Sequence, residues 1–201
     1  MKDAAGKFER DRYLVIRALL KKPAVKRFYD YVCKAAEAGT PGLVDYLMPE
    51  APFAYGDFMT DALMVSLQPR IEAASGLPLF PTYTYCRLYK RGDVLPRHTD
   101  RPACELSISV CLGSEPNEPW PLWIEGPRGP SAIVLRPGDA VLYRGRECAH
   151  WRDAFAGQHQ AQLFMHYVDQ NGPYAEWKFD KRAALGDPVA QAHYQLTTPP
   201  T

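Results

Sequence analysis

The stretch RHTDRPACELSISVCL, residues 97–112, sets His98 and Asp100 two apart, just before an alternating apolar run. In an extended chain, side chains two apart share a face, so an imidazole nitrogen and a carboxylate oxygen project together while Thr99 points away. Two chemistries use such a pair. A buried ion pair or polar cluster needs nothing further from the sequence. A first-row metal ion needs a third ligand on another element, and three ligands on one triangular face leave the remaining positions open. His150, in YRGRECAHWRDAF, is the candidate for that role. It lies 50 residues after Asp100, at the end of an expected strand, and reaches the pair only if the sheet folds back on itself.

The elements that must bring these residues together divide into a helical part and a strand part. FERDRYLVIRALLKK carries Phe8, Leu14, Val15 and Leu19 at helical spacing. PAVKRFYDYVCKAAEAG is expected to form a second helix from Pro23 to Gly39, with Val25, Phe28, Tyr29 and Val32 on one face. TDALMVSLQPRIEAASG is expected to form a third, capped by Thr60 or Asp61, kinked at Pro69 and ended by Gly76. From Pro81 the period falls to two, giving strands over 82–90, 95–98, 105–112, 121–124, 131–136, 140–144, 147–151 and 159–168. Turn-forming runs KRGD, GSEPNEP, GPRGP and RPGD separate them. The expected fold is α+β in a single domain over 1–201: a mainly helical part over 1–80, a jelly-roll core of about eight strands over 81–170, and a C-terminal extension over 171–201 ending in a disordered LTTPPT.

Charge narrows the function classes. With 24 basic and 23 acidic residues the net charge is +1, which argues against a nucleic-acid partner held by a broad basic field. The five cysteines form no C-x-x-C pair, and no apolar run approaches the roughly 18 residues of a membrane span. With a charged N-terminus, these features predict a cytoplasmic protein with reduced thiols and no membrane partner.

Three pieces in order, YTYCRLYKRGDVLPRHTD, RPGDAVLYRG and CAHW, carry a family resemblance. Residues 81–168 resemble the iron(II)- and 2-oxoglutarate-dependent dioxygenases, nearest to the prolyl-4-hydroxylase-like branch. The resemblance implies a double-stranded β-helix with iron(II) on His98, Asp100 and His150, and 2-oxoglutarate and O2 as cosubstrates. Tyr89 matches a tyrosine that hydrogen-bonds 2-oxoglutarate in that branch. It further implies hydroxylation of an unactivated C–H bond in a prolyl or other amino-acid residue, peptide-bound or free, with succinate and CO2 as co-products. Relatives hold the far carboxylate of 2-oxoglutarate with an Arg or Lys about nine or ten residues after the distal histidine, since a buried carboxylate needs a charged partner. Here that count lands on His159 and Gln160. Arg152 is the nearest alternative, sharing the His150 face if the strand stays extended; His159 and His166 are further candidates. The missing cation keeps a rival open, a jelly-roll metal- or small-molecule-binding protein without turnover. A nucleic-acid demethylase of the same superfamily is disfavoured by the neutral charge.

Other residues have blander readings. Tyr83, Tyr85, Arg87 and Tyr89 alternate on one strand face, as pocket lining or half-buried packing. Trp120, Trp123 and Trp151 are expected to pack core or pocket wall, Cys104 and Cys148 to be small buried hydrophobes, and Arg97 and Arg101 either to brace the loop around the pair or to bind an acidic substrate. Arg152 paired with Asp153 or Glu147 at the surface is the plain alternative to an anchor. His193 carries no signal.

Overall fold

The structure, a computed structural model, describes residues 3–38, 45, 47–51, 53–115 and 119–186. His193 and the LTTPPT tail lie outside them. The described residues form three α-helices, α1 (Ala4–Asp11), α2 (Lys22–Ala38) and α3 (Phe58–Ser75), and ten strands: β1 (Tyr13–Ile16), β2 (Phe53–Tyr55), β3 (Leu79–Lys90), β4 (Leu95–His98), β5 (Leu106–Glu115), β6 (Leu122–Gly126), β7 (Gly129–Ile133), β8 (Ala140–Arg144), β9 (His150–Arg152) and β10 (His159–Asp169). Two antiparallel sheets result, one ordered β1-β8-β5-β10-β3-β2 and the other β4-β9-β6-β7.

Alternation along the large sheet decides what faces what. Cys86 and Leu88 of β3, Ile108 and Val110 of β5, and Leu163 and Met165 of β10 pack against Val25, Phe28 and Val32 of α2 and Met64 and Ile71 of α3. The opposite face of the large sheet, β8 included, looks toward the small sheet. There Tyr89, Val141 and Tyr143 meet Leu95, Leu122, Ile124 and Ile133 in a second core. The large sheet is therefore buried on both sides, which its long runs of buried residues reflect.

The N-terminal part departs from expectation at two places. The first helix stops at Asp11, and Arg12 turns the chain in the left-handed region at φ 65°. Tyr13–Ile16, expected to be helical, is β1, paired antiparallel with Tyr143–Ala140 of β8. The open edge of β8 and the β-favouring Tyr-Leu-Val-Ile run outweigh the helical spacing of Leu14 and Leu19. With β2, this gives two strands more than the eight expected. α3 also begins before Thr60: its cap is Asp57, accepting from the amides of Met59 (2.8 Å) and Thr60 (3.3 Å). Asp61 is instead buried inside, accepting from Thr84 N and Oγ1 and pairing with Arg182 at 3.1 Å. The expected strand 147–151 is β9, shortened to His150–Arg152 because Arg144–Cys148 is a turn closed by Cys148 N donating to Arg144 O.

Candidate active site

β4 and β9 are antiparallel neighbours, and their register puts His98 directly opposite His150. Asp100 follows in the loop leaving β4, pinned by its amide donating to Gly145 O at 2.8 Å. The imidazoles lie 4.3 Å apart between centroids. Their Nε2 atoms converge on Asp100 Oδ1, at 3.7 Å from His98 and 3.5 Å from His150. Each Nδ1 is oriented from behind by a backbone carbonyl, Pro96 O at 2.8 Å for His98 and Cys148 O at 3.0 Å for His150. A ring that donates Nδ1–H to a carbonyl carries its lone pair on Nε2, the atom aimed at the shared point. Two imidazole nitrogens and one carboxylate oxygen so disposed suit a divalent first-row metal ion with open positions.

Electrostatics agree with that arrangement. Burial pushes the Asp100 carboxyl up, but attraction to His150 and a hydrogen bond with it prevail and hold the group well below the usual carboxylate range. For His150, burial opposes the charge and Asp100 outweighs it, raising the pKa; His98 is lowered by burial and by repulsion from His150.

A second potential donor set, Asp100, Cys104 and His166, lies within the same 4.8 Å span. It is the poorer site. Burial raises the Cys104 thiol far above its usual range, so it stays protonated, 3.0 Å from the Tyr83 hydroxyl. His166 has another task. Ser107 Oγ donates to Asp100 Oδ2 at 2.7 Å and lies 3.0 Å from His166 Nδ1, which supplies the proton to that oxygen. The chain His166–Ser107–Asp100 occupies Oδ2 and leaves Oδ1 for the metal. Ser107→Ala is expected to lower iron(II) affinity by about 10–100-fold without changing the circular dichroism spectrum, as loss of a ligand-orienting partner does.

Gly145 permits the same approach from the other side. A Cβ there would come within 2.2 Å of Asp100 Oδ2, 2.5 Å of Cys104 O and 2.8 Å of Ser107 Oγ. Gly145→Ala must therefore push the carboxylate aside. Metal binding measured by calorimetry is expected to fall at least as far as in Ser107→Ala, with the far-UV spectrum retained.

The trio stands at one end of a cavity of about 310 Å³ between the sheets, walled by Tyr83, Tyr85, Arg87 and Tyr89 of β3, Leu95, Leu122 and Phe164. Behind the trio lies Arg152, two residues past His150 on the same face of β9 and 2% exposed. Its guanidinium lies over the Trp120 ring at 4.5 Å, with Tyr89 6.0 Å away, and Nη1 donates to Trp120 O at 2.7 Å. Nε has no partner, and no carboxylate pairs with Arg152 among the described residues. Burial lowers its pKa. The pairings expected with Asp153 or Glu147 are absent: Glu147 meets Arg12 and Arg144, and the Asp153 carboxylate accepts from Trp123 Nε1.

The other candidates fall elsewhere. His159 is not part of this cavity. The first residue of β10 faces outward, and its Nε2 lies 2.6 Å from the Tyr29 hydroxyl of α2. His166 sits beside Asp100, at the trio's end of the cavity, with its ring 4.5 Å from Tyr83. Arg101 is beyond the strand, so alternation does not govern it; it is buried in a two-point ion pair with Asp180 at 2.7 and 2.6 Å. Arg97 is exposed and contacts Glu125. Sequence reasoning left out Ser107 and Tyr143, and also Asp45, Gly145 and Asp180. Strand alternation from Leu106 and Ala140 could have found the first two; nothing local marks Asp180.

No family model matches the chain, and no curated protein does. Solved structures do. The epimerase SnoN of nogalamycin biosynthesis, in complex with Fe3+, alpha-ketoglutarate and nogalamycin RO, is similar over 100% of this chain and 95% of its own, with TM-score 0.69 and 17% identity. A Pseudomonas putida prolyl-4-hydroxylase covers 83% of this chain and 97% of its own, with TM-score 0.64 and 17% identity. HygX from Streptomyces hygroscopicus, with nickel and 2-oxoglutarate bound, covers 85% and 88%, with TM-score 0.65 and 12% identity. Two facing antiparallel sheets with the His98–Asp100–His150 trio at one end thus have the fold of the iron(II)/2-oxoglutarate-dependent oxygenases, the prolyl-4-hydroxylase among them.

Proposed function

We propose that this protein is an iron(II)/2-oxoglutarate-dependent oxygenase with a double-stranded β-helix core, and that it hydroxylates an unactivated C–H bond of a prolyl or other amino-acid substrate. The observation that carries the reading is the convergence of His98 Nε2, Asp100 Oδ1 and His150 Nε2 on the lining of a cavity, with the buried Arg152 guanidinium close behind Tyr89 of that lining and paired with no carboxylate among the described residues. One conversion fits both features: C–H, O2 and 2-oxoglutarate become C–OH, succinate and CO2. Bound iron(II) supplies the dioxygen chemistry. The residues do the rest. His98, Asp100 and His150 hold the metal on one face, and Pro96 O, Cys148 O and Ser107 fix the orientation of the three donors. Arg152 neutralises the far carboxylate of 2-oxoglutarate, the role that a cation about nine or ten residues after the distal histidine plays in relatives. Tyr89, packed edge-on against Trp120, closes the same end. Leu95, Leu122 and Phe164 keep water from the space between.

The test is anaerobic titration of the metal-free protein with iron(II) and then 2-oxoglutarate. A weak visible charge-transfer band is expected on the second addition, followed in air by succinate formed in step with 2-oxoglutarate consumed. Iron binding with no band at millimolar 2-oxoglutarate would overturn the oxygenase reading in favour of a binding protein without turnover.

A further inference from the structure

We propose that the substrate is itself a small free carboxylic acid, and that Arg87 binds its carboxylate. The inference rests on the reading above and assigns the substrate class of the same site. Two buried guanidiniums line this cavity, Arg87 and Arg101, and Arg101 is taken up by Asp180. Arg152 is buried next to the cavity, outside the lining but against the ring of Tyr89, which does line it. Arg152 lies 6.0 Å from that ring and Arg87 5.6 Å from it. A dicarboxylate cosubstrate with one end on the metal presents one far carboxylate, and the reading above assigns it to Arg152, which has no acidic partner among the described residues. Arg87 is then surplus to the cosubstrate.

Arg87 has the marks of a recognition group. It is 2% exposed yet lines the cavity together with His98, His150 and Phe164. Its guanidinium lies over Tyr85, 5.1 Å from the ring centroid, and its Nε has no hydrogen-bond partner among the described residues. Its acidic partner is Asp45, which belongs to none of the strands and enters between α2 and β2. Asp45 also accepts from the Tyr85 hydroxyl at 2.8 Å. The sheet therefore presents a cation and a phenol toward the trio, and a loop carboxylate marks where an acid group sits. Buried ion pairs contribute little to stability compared with apolar residues of the same volume, so stability alone gives no reason to keep a cation on a pocket wall.

A substrate carboxylate competes with Asp45 for the Arg87 terminal nitrogen and the Tyr85 hydroxyl. Tyr83, Tyr85 and Phe164 then pack the apolar body beside the metal. A cavity of about 310 Å³ accommodates 2-oxoglutarate with a compact second molecule, at the low end of ligand pockets. An internal residue of a peptide has its carboxyl tied up in an amide and brings no charge to Arg87. This separates the free-acid reading from the peptide-bound one.

The experiment is calorimetric titration with matched pairs, L-proline against L-prolinamide and benzoate against benzamide. It is run on the protein saturated with iron(II) and 2-oxoglutarate, and again on the metal-free protein. At least one acid is expected to bind roughly tenfold tighter than its amide, leaving the visible band in place. Arg87→Gln is expected to erase the preference, and Asp45→Asn, which removes the competing carboxylate, to tighten the acid roughly tenfold. The proposal is overturned if acids and amides bind alike, if neither binds, or if the acid abolishes the band by displacing 2-oxoglutarate. Should Arg87→Gln fail to fold, unchanged acid affinity in Asp45→Asn overturns it. Failure of the band to form at all counts against the oxygenase reading instead, and the metal-free titration still reads Arg87.

Discussion

His150→Ala is expected to abolish iron(II) binding and with it 2-oxoglutarate turnover, a loss of more than about a hundredfold, since removing a group that merely orients a ligand already costs about 10–100-fold. His150 is the only one of the trio that is fully enclosed, and its register opposite His98 makes it the hinge of the geometry. Without it, His98 and Asp100 remain as an exposed-side pair that no longer defines a triangular face. The cost to the fold is smaller. Cys148 O loses its Nδ1 donor and Tyr143 OH loses a neighbour at 3.5 Å, a penalty on the order of 1–3 kcal/mol for an acceptor left unpaired. Equilibrium metal titration beside a urea melt separates the two effects. Full-strength iron binding in a well-folded His150→Ala protein would remove this residue from the site.

Arg152→Met is expected to move two measurements in opposite directions. Its guanidinium is buried with an unpartnered Nε and with no carboxylate beside it among the described residues, so without cosubstrate it is a buried cation held by Trp120 O and the Trp120 ring. Replacing a buried charge that has no counter-charge with an apolar side chain of similar length removes its desolvation penalty, which offsets the lost bond to Trp120 O. The melting temperature without ligand should therefore hold or rise. Affinity for 2-oxoglutarate should collapse, because its far carboxylate would be buried with no counter-charge, a penalty of about 3–5 kcal/mol and so upwards of a hundredfold. Stabilisation by added 2-oxoglutarate, which follows mass action in the parent protein, should vanish with it. A structural arginine would behave the other way: lower stability in the variant and an intact response to 2-oxoglutarate. His159→Ala serves as the control. Its ring is turned to Tyr29 on the helical side, so 2-oxoglutarate affinity is expected to stay within about twofold, as surface changes away from a site do.

The strand part of the chain was legible because its signals are local. Alternation along 82–90 and 159–168, and the Gly-Asp turn at Gly138-Asp139, place each strand within a few residues of its observed position. The H-x-D spacing needs only an extended backbone to put two donors on one face. The helical part was less legible for the same reason turned round. Leu14 and Leu19 fit a helix as well as a strand, and only the open edge of β8 selects the strand. The anchor problem was of this kind too. His159 and Arg152 both stood at plausible distances from His150, and which of them faces inward depends on where each strand begins.

By itself the sequence determined the donor types, the order of the strands and the absence of a cation at the usual place after His150. Short-range stereochemistry sets these, and a two-residue period suffices to read them. The tertiary structure alone decided that His98 pairs with His150, that His166 and Ser107 turn to Asp100, and that Asp45 reaches Arg87 across 42 residues. It also decided that Arg152 is buried with no counter-charge among the described residues. Those facts depend on sheet register and on which loop crosses which strand end, and long-range packing of two sheets sets them where no local pattern does.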